Sequence, residues 1–244
     1  MLSKRPRVLL FDLESVGVNA LQADLGLIAV FAWKWLGERE VHAITLADFG
    51  GLPGQKSKYI ISDKALLVAA SKIMQEADLL VGHFASVFDR RMFQGRLLIN
   101  GLPPIPPTKL RDTKFIASSQ ANFGSNRLGI LAENLGLGEQ KMQKKRPSEW
   151  PGWWFRVMAG DKKALAAMRK YALQDVRTLE DVYLRLRPFD TAHVRIYSDR
   201  STCKACGSAV EYRGFAYQGD LRYRRYVCKG CKRWDREHKA FKGV

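Results

Sequence analysis

The chain has 244 residues, 46% of them hydrophobic, and a formal net charge of +17 from 41 Lys and Arg against 24 Asp and Glu. That length suits one large domain plus a small module, and the basic excess points to a polyanionic partner, nucleic acid before an anionic membrane. Residues 27–36 are interrupted by Lys34 and residues 8–11 are too short for a signal-peptide core, so neither a spanning segment nor a secretory leader is expected, and a cytoplasmic protein is.

Residues 8–11 (VLLF) form an apolar run of strand length that ends on Asp12 and Glu14. Residues 27–35 and 41–46, rich in Val, Ile and aromatics, read as two further strands of a meander. A loop over 50–58 leads to a helix over 63–75, with Asp63 as cap and Leu66, Ala70 and Ile73 inward. Residues 79–82 are a fourth strand, followed by a helix over 89–99 and a rigid proline-rich connection at 103–107. Asn126 is read as an N-cap, with Leu128, Leu131 and Leu135 on one face and Gly136 as the stop. Residues 139–160 read as irregular. A long helix over 161–186 follows, with Leu165, Met168, Ala172, Val176, Leu179 and Tyr183 as its apolar stripe. Pro188 ends it, 188–200 reads as a linker, and 201–244 is a separate basic module with 12 Lys and Arg against 4 Asp and Glu from Arg200 onward.

Three short motifs carry acids. Asp12 and Glu14, two apart, face the same way on a strand. Asp89 (in VFDRRMF) opens a helix just beyond an apolar strand. Tyr171 and Asp175, four apart in YALQD, share a helix face. Each alone reads equally well as a solvated strand end, a helix cap or the edge of a packed helix. Together they are the natural holders of two divalent ions about 4 Å apart, which activate water, stabilise a leaving oxyanion and shield phosphate charge. Hard Mg²⁺ or Mn²⁺ prefers such oxygen ligands.

FDLES, SVFDRRMF and YALQD, in this order and with RDTKF and NRLGILAENLGLG between the last two, resemble the motifs of the DEDD-type 3′–5′ exonucleases, tyrosine subgroup. The resemblance spans about residues 7–187. It implies a ribonuclease H-like α/β fold over residues 1–187, a mixed central sheet flanked by helices. It also implies catalytic roles for Asp12, Glu14, Asp89, Tyr171 and Asp175. Asp12 would bridge two Mg²⁺ or Mn²⁺ ions, Glu14 and Asp175 would complete one, Asp89 would hold the other, and Tyr171 would orient the attacking water.

One departure stands out. Related second motifs carry Asn after the residue matching His83, where this chain has Phe84. Phe84 reads either as core packing, the usual fate of an aromatic after an apolar strand, or as a stacking contact for a terminal base. His83 reads as a hydrogen-bonded residue beneath the site, and Asp112 as a structural cap.

Cys203-x-x-Cys206 and Cys228-x-x-Cys231 have zinc-ribbon spacing. Four thiolates suit one tetrahedral Zn²⁺, and a tail this short needs such a staple. Arg222, Arg224 and Arg225 interleave with aromatics there, a pattern suited to phosphates and bases. A second candidate contact set is the basic, tryptophan-rich stretch 141–154, with Lys144, Lys145, Arg146 and Trp153. It serves either as a flap that clamps a strand or as an insertion anchored by its tryptophans.

The expected protein is a two-metal 3′–5′ exonuclease acting on single-stranded or frayed DNA and releasing nucleoside 5′-monophosphates. With no polymerase domain in the sequence, it would work free-standing or with a replication or repair partner, in the manner of a phage or bacterial enzyme. An exoribonuclease or structure-specific endonuclease on the same fold, and a non-catalytic zinc-ribbon binder, are the alternatives.

Overall fold

The computed structural model describes residues 6–50, 62–137, 150–237 and 239–242. The chain divides into two compact units, Arg7–Tyr183 and a second holding Leu184–Val244.

The first unit is built on a five-stranded mixed sheet of order β3-β2-β1-β4-β5. Its strands are β1 (Val8–Gly17), β2 (Gly26–Trp35), β3 (His42–Thr45), β4 (Leu79–Gly82) and β5 (Leu110–Asp112). β1 is central, antiparallel to β2 and parallel to β4. Its near-continuous apolar run follows from that position, because a central strand is covered on both faces. Leu9, Phe11 and Leu13, with Phe31 and Leu80, pack against Leu66, Leu67 and Met74 of α1 (Lys64–Gln75) and Met92, Phe93 and Leu97 of α2 (Asp89–Ile99).

The opposite face of β1 carries Leu10, Asp12 and Glu14, and Lys34 lies opposite Leu10 in the register. Lys34 forms an ion pair with Glu180 of α6 (Lys162–Leu186), which brings that helix to β2. All six residues of the expected α6 stripe are buried. Asp161, expected to begin this helix, caps it by accepting from the backbone N–H groups of Lys163 and Ala164.

β1 outruns the expected 8–11, because its pairing with β2 continues to Gly17 while its pairing with β4 stops at Leu10. Asp12 and Glu14 therefore lie within a strand rather than at its end. Past β4, one edge of β1 is open to whatever α2 brings there.

Four further readings are corrected. Asp63 occupies the N-cap position of α1, as expected, but its side chain does not cap the helix. Its buried carboxylate accepts from the backbone N–H of Ile28 and pairs with Arg96 at 2.8 Å. The N-cap of α4 (Leu128–Asn134) is Arg127, one residue past Asn126. The stretch read as irregular ends in a helix, α5 (Trp150–Met158), which packs on β1 with Trp153 and Val157 buried. Residues 188–200 are not a free linker: Asp190 and His193 are buried, and the Arg233 guanidinium donates to the Arg187 and Asp190 carbonyls.

The second unit is a small antiparallel sheet of β6 (Val210–Gln218), β7 (Leu221–Cys228), β8 (Trp234–Arg236) and β9 (Phe241–Lys242). β6 is exposed along most of its length, so the cluster of Cys203, Ala205 and Cys228 is the compact centre of this unit. No helix among the described residues is long and apolar enough to cross a membrane.

Candidate active site and cysteine centre

β4 ends at Gly82, and the chain turns through 83–88 into α2. Only glycine permits this turn to close down: a Cβ on Gly82 would stand 2.3 Å from the Ala85 Cβ. The turn delivers Asp89 to the open edge of β1, where the Leu13 N–H, left without a strand partner, donates to Asp89 Oδ1 at 3.0 Å. Asp89 thus sits beside Asp12 because the sheet pairing runs out there.

The carboxylates of β1, α2 and α6 act on one another. Asp12 is held well above the usual carboxylate range by burial first, then by the charges of Asp89, Glu14 and Asp175. Asp89 is pushed up to about 7, again mainly by burial, with the Leu13 hydrogen bond opposing and Asp112 adding to the rise. Asp175 and Tyr171 are one turn apart and both half-buried on α6. Among the described residues, no three of these carboxylates have oxygens all within 4.8 Å of one another. Asp12 thus meets the charges of three further carboxylates, from its own strand and two helices, an anionic oxygen-donor set of the kind that hard divalent cations prefer.

Beside this cluster, Asp112 caps α3 (Thr113–Gln120) through the Lys114 N–H, as read from the sequence. It does more: it also accepts from the N–H groups of Phe84 and Ser86 and from the Ser86 hydroxyl, fixing the 83–88 turn. The Thr113 hydroxyl donates to the Gly82 carbonyl and so meets His83 Nδ1, 2.9 Å away, as an acceptor. Burial lowers His83 to about 4, which leaves it neutral at physiological pH.

Phe84 is not core. It is 36% exposed, takes a left-handed backbone (φ +62°), and its ring lies near Phe115 with Lys114 Nζ 3.5 Å from the centroid. Lys114 was invisible in the sequence, where nothing distinguishes it from many other basic residues.

Trp153 is 6% exposed and packs into the first unit, so it anchors α5 and is no stacking contact. Lys144, Lys145 and Arg146 lie outside the described residues.

In the second unit the four cysteine sulfurs lie within 4.8 Å of one another, with Cys206–Cys228 at 3.5 Å and Cys203–Cys231 at 3.8 Å. These are free thiols, too far apart for disulfides. A tetrahedron of 2.3 Å Zn–S bonds has edges of about 3.8 Å, so the cluster is consistent with a zinc site. Hydrogen bonds with Cys203 and Cys231 pull Cys206 far below the usual thiol value, and their counterparts push Cys231 far above it.

The arginines of this unit lie over aromatic rings: Arg222 over Phe215, Arg225 over Trp234, and Arg236, which the sequence reading passed over, over Tyr223 at 3.8 Å. Arg224 also lies over Tyr212, but its fork is taken by Glu237 through two 2.9 Å hydrogen bonds.

No protein-family model matches the chain, and no curated protein matches it. Among solved structures, it resembles a family B DNA polymerase from the hyperthermophilic archaeon Pyrobaculum calidifontis, with a TM-score of 0.57 and 17% identity over 75% of this chain. The matched region is 25% of the polymerase, so the chain spans about a quarter of that protein's length. At this identity the likeness establishes the fold: a mixed α/β unit whose five-stranded sheet and flanking helices fit the ribonuclease H-like class.

Proposed function

We propose that the chain is a metal-dependent 3′–5′ exonuclease of the tyrosine DEDD type, acting on single-stranded or frayed DNA. The observation that carries this reading is the electrostatic coupling of buried Asp12 to Glu14, Asp89 and Asp175, contributed by a strand and two helices. A cluster of like charges that burial and repulsion both disfavour is retained for chemistry, because it detracts from stability.

Asp12, Glu14 and Asp175 would hold one Mg²⁺ or Mn²⁺, and Asp12 with Asp89 a second. When bound, such ions activate water, stabilise the leaving oxyanion and neutralise phosphate charge. The chain's own residues do the rest. The Leu13 N–H fixes the Asp89 carboxylate, and with it the separation of β1 from α2. Tyr171, one turn from Asp175, orients the attacking water by a hydrogen bond. Water adds to phosphorus in line, the bond to the 3′-oxygen breaks, and a nucleoside 5′-monophosphate leaves.

The second unit would bind one structural Zn²⁺ through Cys203, Cys206, Cys228 and Cys231, and would bind nucleic acid through Arg222, Arg225 and Arg236. The aromatic rings beneath these arginines support that role, since a guanidinium held over a ring is already positioned for phosphate.

The test is a 5′-labelled strand, DNA or RNA, incubated with the wild-type chain or Asp12→Ala in Mg²⁺, Mn²⁺ or EDTA. A metal-dependent ladder shortening from the 3′ end, at least about 1000-fold slower in the variant, is expected. Tight binding with no shortening of either strand would overturn the enzyme and leave a binding protein.

A further inference from the structure

We propose that Phe84, with Phe115 beside it and Lys114 over its ring, is a platform on which the 3′-terminal base of a single-stranded nucleic acid stacks. The proposal rests on the exonuclease reading and adds the residue that seats the end of the strand.

Phe84 occupies a backbone region that L-residues with bulky side chains rarely adopt, at φ +62°. Glycine or asparagine fits such a position without penalty. Burial does not explain the phenylalanine, because the residue is 36% exposed and its aromatic neighbour Phe115 is 45% exposed.

The surrounding turn is nonetheless fixed in detail. The Phe84 N–H donates to Asp112 Oδ1 at 2.8 Å, and its carbonyl accepts from the N–H groups of Val87 and Phe88. Ala85 is pressed over Gly82, and its carbonyl accepts from the Arg90 N–H. A rigid turn thus holds an exposed, strained aromatic in the segment that leads to Asp89, whose carboxylate is bonded to Leu13 of β1, the residue after Asp12.

The cation completes the match. Lys114 Nζ lies 3.5 Å from the Phe84 centroid on a flexible stem. A base stacking on that ring would bring its own phosphate within reach of the ammonium. A ring that accepts any base and a cation that accepts any phosphate give stacking without sequence preference. An acidic peptide would use the cation but not the ring, and an apolar ligand the reverse.

The experiment uses the full chain carrying Asp12→Ala, so that the strand is bound without being cut, and DNA strands with 2-aminopurine at either the 3′ or the 5′ end. The 3′ probe should lose fluorescence on binding and the 5′ probe should not. Adding Phe84→Asn, which suits the left-handed backbone and keeps the N–H bonded to Asp112, should abolish the quenching and weaken binding roughly 5- to 100-fold. Phe84→Tyr should keep both, whereas Phe84→Leu, apolar but without a π-face, should lose the quenching. Unchanged quenching in Phe84→Asn or Phe84→Leu, or none in the parent, would overturn the platform. The same strands given to the chain with Asp12 intact report hydrolysis separately. A ladder without quenching defeats the platform alone, and quenching without a ladder defeats the exonuclease while keeping the platform.

Discussion

The two units relate stability to their candidate sites in opposite ways. In Arg7–Tyr183 the core of Leu9, Phe11, Phe31, Phe93 and their neighbours stands apart from the carboxylates, which burial and repulsion penalise. In the second unit the candidate centre and the compact core are the same residues, Cys203 and Cys228 among them, while the strands around them are exposed. A site that detracts from its fold can be altered without loss of structure. A site that constitutes its fold cannot, and that contrast can be broken at several points.

The largest effect is expected from metal removal. If zinc holds the cysteine cluster, its binding is worth on the order of 10 kcal/mol and is in effect the folding energy of this unit. A strong chelator should therefore release the amides of 203–236 to rapid hydrogen exchange while those of α1 and α2 stay protected. Persistent protection of β7 in demonstrably metal-free protein would show that the ribbon stands without its centre.

Next comes the buried ion pair of the first unit. Asp63 and Arg96 link α1 to α2, and the Asp63 carboxylate also holds the Ile28 N–H of β2 at 3.0 Å. Arg96→Ala would strand a buried carboxylate, a loss of about 3–5 kcal/mol. Chemical denaturation should place the whole effect in the first unit. A loss under about 1 kcal/mol would mean that Asn100, which also donates to Asp63 at 3.2 Å, suffices as a partner.

A smaller effect, of a few kcal/mol at most, concerns Asp89 and reads the liability directly. Its carboxyl is raised from 3.8 to about 7, so the folded chain keeps a proton that the unfolded chain gives up. The stability this contributes is complete below about pH 4 and is lost as pH rises through 7. The metal-free first unit should accordingly melt at lower temperature as pH climbs across that window. Excess Mg²⁺ should flatten the trend, and Asp89→Asn, whose amide oxygen can still accept from Leu13, should make it shallower without metal, leaving Asp12 as the remaining raised carboxyl. A slope untouched by either would dissociate Asp89 from the cation pair.

Much of this contrast was legible in the sequence, for reasons of period and spacing. The α6 stripe, the bounds of α2 and β4, and the two Cys-x-x-Cys pairs are local patterns, and the structure reproduces them. What escaped was set by partners far along the chain. Asp63 looked like a cap because it precedes an apolar-periodic run, yet Arg96, 33 residues on, claims its carboxylate. Phe84 looked like core because it follows an apolar strand, but the clamp of Asp112 on its backbone turns it outward. Trp153 looked equally suited to stacking and to packing, and only the docking of α5 on β1 decides for packing. In each case the local pattern was sound and a long-range contact outweighed it.

The smallest effect separates two neighbouring arginines on β7. Arg225 lies over Trp234, 5.2 Å from the ring centroid, and its Nε donates to the Arg213 carbonyl at 3.2 Å, the one hydrogen bond of its guanidinium among the described residues. Arg224 is bound through both Nε and a terminal nitrogen to Glu237, which also lowers the Glu237 carboxyl below its usual range. If direct phosphate contacts govern binding, Arg225→Gln should reduce the logarithmic salt slope for a single strand by about 0.7 and weaken affinity a fewfold. Arg224→Gln should leave the slope nearly unchanged, because its fork is already engaged. Both substitutions remove one positive charge, so a diffuse field would lower the two slopes alike. That result would reduce the exposed face of the ribbon to a source of attraction without defined contacts, and would leave the thiol cluster as the one part of the second unit with a specific geometry to protect.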